Sequence, residues 1–576
     1  MTDNSQEREL GVKTRDVLDS FDDKLASFAS AVARQAEYVF WLGSGLSASV
    51  VPCVSELLIR LLTFLQERLD RSDEGCRFRK ALDEIIEISG IPQETRNGID
   101  LTAAVESWPD LDDIVQRLVS KYSKVLGVLV DNEEPDFLVW EGIDVVQTYG
   151  SSDLEPAAEH LCLAILLLEG TVRSVASANW DGLIESAVER LTGDTEGHLR
   201  VVILPEDFKK PEARCDLIKF HGCAVKAAED QDAYRSRLIA RQSQIYGWTT
   251  EPQHVVTRTR LEDWTATKKI LMVGLSAQDS NIHTILNQAR QNLSQDWPVD
   301  PPAVVFALES LDSDQQGVLN SIYGESYLLN HQEIEKTALL GAYAQPLLLG
   351  LVLFTLTDKL CSLIGELHQD WDTATLRTLE DGLRNLRDSV ASIIDDDATV
   401  FVDSLIATTG MALSMFRYGS PPCAGSRHYQ PLTAQPIAKA VLDPNIDIDE
   451  LGFLAVAVSL LGMGAAQGLW RLTAGDAHQP DNGVCTVESA HESRVFFVRD
   501  SGVLSRLEKN GHVNMTDPSV VVVHAKEIPE QQVRSPRVRY GRTGRYPARE
   551  VAIETVAGAS TDANGLLTSF RQSADL

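Results

Sequence analysis

From Tyr38 to Leu329 the chain alternates short apolar, β-branched runs with longer amphipathic segments. That alternation restricts the fold to strands joined by crossover helices, which is a parallel sheet with helices on both faces. Runs at 38–42, 173–177, 199–204, 216–220, 269–273 and 303–308 read as strands. Helical periodicity falls at 53–69, 111–128, 156–168, 183–191 and 281–293.

Beyond residue 336 the pattern changes. Long helical stretches at 346–368, 373–393, 400–416 and 448–472 follow with no strand between them. From 484 the runs 484–488, 494–498, 520–524 and 550–556, separated by Gly, Pro and Asp clusters, read as strands. At 576 residues the chain exceeds a single core. The expected division is therefore an α/β domain over 1–335, a helical domain over 336–480 and a small β-rich domain over 481–576.

Composition narrows the function classes. With 52 basic against 84 acidic residues the net charge is −32, which disfavours binding nucleic acid or anionic lipid through the overall field. The arginines Arg534, Arg537, Arg539, Arg542, Arg545 and Arg549, interleaved with Tyr540 and Tyr546, form one local basic run. Such a run can bind nucleic acid or an acidic partner, and in so acidic a chain pairing with carboxylates of this protein or a neighbour is the favoured expectation. The eight cysteines include no CxxC pair, so neither a zinc site nor any other metal site is expected. The N-terminus lacks the basic then apolar order of a secretory signal, and a cytoplasmic location is the expectation. Stretches 337–357 and 451–470 carry no charge over a membrane-spanning length. Gln345-Pro346 interrupts the first, several glycines the second, and no Lys/Arg cluster flanks either. They read as buried central helices.

Chemistry-bearing residues gather where strands end. Tyr38 to Leu42 runs into Gly43-Ser44-Gly45-Leu46-Ser47, a glycine turn before a helix. Such a turn offers backbone N–H groups and a helix N-terminus to a pyrophosphate, with the Ser44 and Ser47 hydroxyls as further donors. Taken alone it is as readily a structural connection. The dehydrogenase pattern is incomplete, since Ala48 replaces the third glycine and no acidic residue ends a second strand. Three further strand ends carry Asn179 and Asp181, then His221, then Gly274, Ser276 and Asp279. Open α/β sheets bind ligands along this edge. Each residue by itself is equally an Asx turn, a helix cap or a loop histidine. Trp41 and Trp180 read as packing the sheet.

The order GSGLSAS, SANWDG, KFHG and GLSAQDSNI resembles the sirtuin-like domains, over roughly residues 30–330. The resemblance implies a Rossmann-like domain with NAD as substrate. It implies a phosphate loop at Gly43, Ser44, Gly45 and Ser47, catalytic roles for Asn179, Asp181 and His221, and later cofactor contacts at Gly274, Ser276 and Asp279. Protein deacylases of that family carry a four-cysteine zinc ribbon after His-Gly, whereas here only Cys223 lies between His221 and Gly274. They also carry a Phe-Arg pair after the glycine loop, replaced here by Val51-Pro52-Cys53. In both respects the chain looks like the bacterial sirtuin-like NAD hydrolases of antiphage defence. The expected activity is cleavage of NAD to nicotinamide and ADP-ribose in abortive infection, with His221 as general base, Asn179 orienting ribose and water, and Asp181 binding the carboxamide or stabilising developing cation. The alternatives are an NAD or ADP-ribose sensor without turnover, and an NAD-dependent deacylase. The charge-free helices beyond residue 336 favour assembly into a homo-oligomer, and by the same resemblance a HerA-like hexameric motor ATPase or a phage-derived activator is a candidate partner.

Overall fold

The computed structural model describes residues 11–70, 72–73, 75–292, 297–367, 370–394, 397–422, 429–528 and 548–576. All five residues of β1 (Tyr38–Leu42) are buried. A strand with no polar face belongs inside a sheet covered on both sides. Around β1 lie β2 (Ser174–Ser177), β3 (Leu199–Val202), β4 (Cys215–Lys219), β5 (Lys269–Val273) and β6 (Val304–Ala307). The order is β3-β4-β2-β1-β5-β6 and every neighbouring pair is parallel. From β1 the chain passes to β2, on to β3 at the edge and back to β4 between them, and then crosses to β5 on the other side of β1. That reversal opens a crevice at the carboxyl ends of β1 and β5, the usual place for a ligand in such a sheet.

Alternate strand residues feed two cores. Tyr38, Phe40 and Leu42 face the helices Ala158–Leu168, Leu183–Thr192 and Ala344–Glu366, while Val39 and Trp41 face Val255–Thr267, Ser280–Asn292 and Ser313–Tyr323. The first core runs across residue 335. Leu347, Leu351 and Val352 pack with Leu163 and Leu167, and the N-terminal helix Thr14–Asp22 lies on the same long helix, with the Phe21 and Phe354 rings edge to face at 5.7 Å.

The segments 53–69 and 111–128 differ from the expected crossover helices. They belong to an insertion between β1 and β2 with its own core, built from the helices Val54–Glu67, Arg77–Ser89, Leu111–Val119, Tyr122–Val125 and Val145–Tyr149. The 111–128 segment is broken at Ser120 and Lys121, where the Lys121 amine turns away to donate to the Ile88 carbonyl at 2.9 Å.

Among the described residues three helices, Ala344–Glu366, Ala398–Tyr418 and Ile448–Ala466, are long and apolar enough to cross a membrane. Most of the first and third is buried inside the protein, 67% and 78% of their most apolar windows, against 44% for the second. The third stops short of residue 472. Gly468 adopts φ 69°, and Trp470 folds back to donate from its indole to the Leu461 carbonyl at 2.9 Å.

The C-terminal region is a five-stranded sheet of β7 (Arg471–Ala474), β8 (Cys485–Glu488), β9 (Glu492–Val498), β10 (Val520–His524) and β11 (Arg549–Ala552). Its order is β11-β10-β9-β8-β7, parallel from β9 to β11 and antiparallel from β7 to β9. Helices accompany it, and the 550–556 run is strand only to Ala552, continuing as the helix Ile553–Ala559. The arginines Arg534, Arg537, Arg539, Arg542 and Arg545 lie outside the described residues. Arg549 is internally paired, donating to the Ser493 hydroxyl and the Asp575 carbonyl, each at 2.8 Å.

Candidate active site

The turns after β1 and β5 pack backbone against backbone. Gly45 N–H donates to the Gly274 carbonyl at 2.9 Å and Gly43 N–H to Val273 at 3.1 Å. A Cβ on Gly43 would lie 2.5 Å from the Gly274 oxygen, and one on Gly274, at φ 61°, would lie 2.4 Å from the Leu46 nitrogen. These glycines are therefore fixed by the contact between the turns. The loop also differs from an open anion cradle, because the N–H groups of Gly43, Gly45, Leu46 and Ser47 are all taken by backbone carbonyls.

Ser47 is fully buried. Its hydroxyl lies 2.9 Å from Asp181 Oδ2, 3.2 Å from Asn179 Nδ2 and 3.1 Å from His160 Nε2. The Asn179 amide also donates to the Gly43 carbonyl at 3.1 Å. That carbonyl only accepts, so the amide orientation is set by its partner. Asp181 Oδ1 accepts from Leu183 N–H at 3.2 Å, so this carboxylate both starts the helix Leu183–Thr192 and holds Ser47. From β4, the buried Lys219 amine donates to the Asp181 carbonyl and, at 2.9 Å, to Glu185.

His221 follows β4 and is buried, with Nε2 2.9 Å from the Asn281 amide. Gly222, at φ 91°, lets residues 237–239 press against it, and Ile239 N–H reaches the His221 carbonyl at 3.0 Å. Burial lowers the His221 pKa from its ordinary value, against weaker upward pulls from Asp279 and Asn281. The ring is therefore neutral at neutral pH, as a proton acceptor must be. After β5, Ala277 sits at φ 57°, a left-handed conformation that a residue with a Cβ adopts at a cost. Asp279 beyond it receives the Tyr122 hydroxyl at 3.3 Å.

These turns enclose a cavity of about 240 Å³. Of the residues singled out from the sequence, Gly43, Ser44, Asn179, Asp181, His221, Ser276 and Asp279 line it. Gly45, Ser47 and Gly274 stand behind that wall, where they hold the lining in place. The opposite wall is apolar and comes from the insertion, chiefly Leu57, Leu58, Leu61 and Leu126. Trp180 differs from its expected sheet-packing role, since it lines the cavity and meets Tyr149 edge to face at 5.4 Å. Trp41 is fully buried in the sheet core beside Phe220.

Three residues outside the motifs, and Asn281 within the last of them but with no role assigned from sequence, enter the site. Asn281 reaches His221, His160 reaches Ser47, and Tyr122 and Tyr149 come from the insertion. His160 directly precedes the apolar run Leu161 to Leu168, whose composition reads as core and gives no sign of a role in the site. Among the described residues no group of three or more His, Cys, Asp or Glu is placed to hold a metal ion.

Residues 173–328 match the family model of the SIR2-like domain. The match starts at the edge of β2 and takes in Asn179, Asp181, His221, Gly274, Ser276 and Asp279, while the glycine turn and the insertion lie before it. No curated protein matches the chain. SIR2-like domains use NAD. With its parallel sheet and this cavity, the chain carries a SIR2-like domain over residues 173–328.

Proposed function

We propose that the protein is an NAD glycohydrolase. Cleaving the nicotinamide–ribose bond leaves the electron pair on nicotinamide and positive charge on the ribose carbon, and water then supplies the oxygen. The observation that carries the reading is the convergence of Asn179, Asp181 and His221 from two strand ends on one cavity with an apolar far wall. Asn179 uses its Nδ2 on Gly43 and Ser47, so its Oδ1 is the end left to accept from a ribose hydroxyl or water. The Asp181 carboxylate supplies negative charge near the developing cation. His221 takes the proton on Nε2, the bare ring nitrogen that the Asn281 Nδ2 amide donates to at 2.9 Å. The apolar wall limits access of bulk water and strengthens these charge interactions.

From the resemblance to antiphage hydrolases we infer that a homo-oligomer depletes NAD on infection, with a HerA-like ATPase or a phage component as activator. The test is chromatography of NAD incubated with purified protein, with and without such an activator. Equimolar nicotinamide and ADP-ribose, lost in His221→Ala by about 10²-fold or more, is the expected result. Unchanged turnover in that variant overturns the site, and NAD binding without products overturns the reaction.

A further inference from the structure

The helix Ala158–Leu168 is buried at every one of its eleven residues, and its first turn holds His160. That imidazole does not line the cavity, yet its Nε2 is 3.1 Å from Ser47 Oγ. A hydroxyl has one proton and two lone pairs. The Asp181 carboxylate oxygen at 2.9 Å accepts, and the Asn179 amide nitrogen at 3.2 Å donates. One lone pair remains, and His160 can use it only by donating from Nε2. The neutral Nε2–H tautomer is thereby selected, and Nδ1 is left bare. Consistently, Nδ1 is buried with no partner among the described residues. Burial lowers the pKa of this imidazole to about 4, so the neutral form persists through the physiological range.

Without that donor, Ser47 loses one of the three partners that hold its oxygen in place. Asn179 and Asp181, which share that oxygen as an anchor, then lose part of what sets them in the cavity. We propose that His160 is a positioning residue for NAD cleavage, acting through Ser47 on Asn179 and Asp181 without touching substrate. This rests on the glycohydrolase reading above.

Variants of the full-length protein test it, with Ser47→Ala and His160→Ala alone as the single-site references for the double variant. His160→Gln keeps an amide donor for Ser47 but cannot ionise. His160→Leu fills similar space without a donor. His160→Ala/Ser47→Ala removes both ends. The expected result is a fall in kcat of about 10-fold or more in His160→Leu with KM changed less than about 3-fold. His160→Gln should recover most of that loss, and the double variant should be no slower than Ser47→Ala alone, as for two groups acting through one contact. Full kcat in His160→Leu, or losses that multiply in the double variant, overturns the proposal. Melting temperatures show whether each variant is folded. A crystal structure of His160→Leu gives a readout independent of turnover: Asn179 and Asp181 rotated from their present positions support the proposal, and unchanged side chains overturn it. If wild type itself consumes no NAD, the glycohydrolase reading fails and the crystal structure still decides what His160 holds.

Discussion

Ser47 Oγ donates to Asp181 Oδ2 across 2.9 Å, tying the turn after β1 to the turn after β2 inside the protein. Ser47→Ala removes the acceptor of His160 and one of the two acceptors of the Asn179 amide. A buried donor left without a partner costs about 1–3 kcal/mol. Chemical denaturation of Ser47→Ala should show a loss in that range, beside a fall in NAD turnover. A variant as stable as wild type would mean that the hydroxyl is not holding these groups.

The pH dependence of turnover follows from His221. Its folded pKa lies below the ordinary 6.5, with burial as the main cause and Asp279 pulling the other way. A base is lost when it takes up a proton, so kcat/KM should hold as pH falls through 6.5 and decline only at lower pH. Asp279→Asn removes the upward pull and should move that acid limb lower still. The pH profile of both proteins checks this, and a limb that rises in Asp279→Asn would remove His221 from the role of base.

The reach of sequence reasoning here depends on what an apolar run is next to. The runs 38–42, 269–273 and 520–524 coincide with β1, β5 and β10 because these strands are buried on both faces and nothing polar competes for their backbone. The run at 199–204 stops at Val202, since the next two N–H groups turn to the Asp207 carboxylate at 2.9 and 2.8 Å. No local pattern announces that capture. Asn179, Asp181, His221 and Asp279 were legible because polar residues directly after buried strands stand at the ligand edge of a parallel sheet. Tyr122 and Tyr149 were not, because only the tertiary placement of the insertion brings them to the cavity. His160 was hidden in a helix whose composition reads as core.

Gly274→Ala tests whether the contact between the two turns sets the site. The added methyl would lie 2.4 Å from the Leu46 nitrogen and 2.6 Å from the Gly45 carbonyl carbon, at φ 61°. Backbone cannot yield there as a side-chain tip does, so the turns must separate. The variant should lose more than the roughly 1 kcal/mol of a simple left-handed alanine, and its turnover should fall sharply. Thermal melting beside the NAD assay checks both, and wild-type values in either would show that the turns move apart freely.

At the far end of the His160 helix, Glu169 is held in the core by residues from the helical region. Lys359 Nζ lies 2.6 Å from its Oε2, while the Tyr429 hydroxyl and the Leu432 N–H reach Oε1 at 2.7 and 3.1 Å. Both charged side chains are completely buried. Removing one partner of such a pair strands the other charge and costs about 3–5 kcal/mol, whereas replacing both with apolar groups of similar size can be close to neutral. Lys359→Met should therefore be strongly destabilised, and Glu169→Leu/Lys359→Met should recover much of the loss in chemical denaturation. The helix is about 16 Å long at 1.5 Å per residue, and it carries His160 at one end and this clamp directly after the other. If the clamp sets the helix, the recovered double variant will be stable yet slow with NAD. Full turnover in that variant would show that the site is positioned without it.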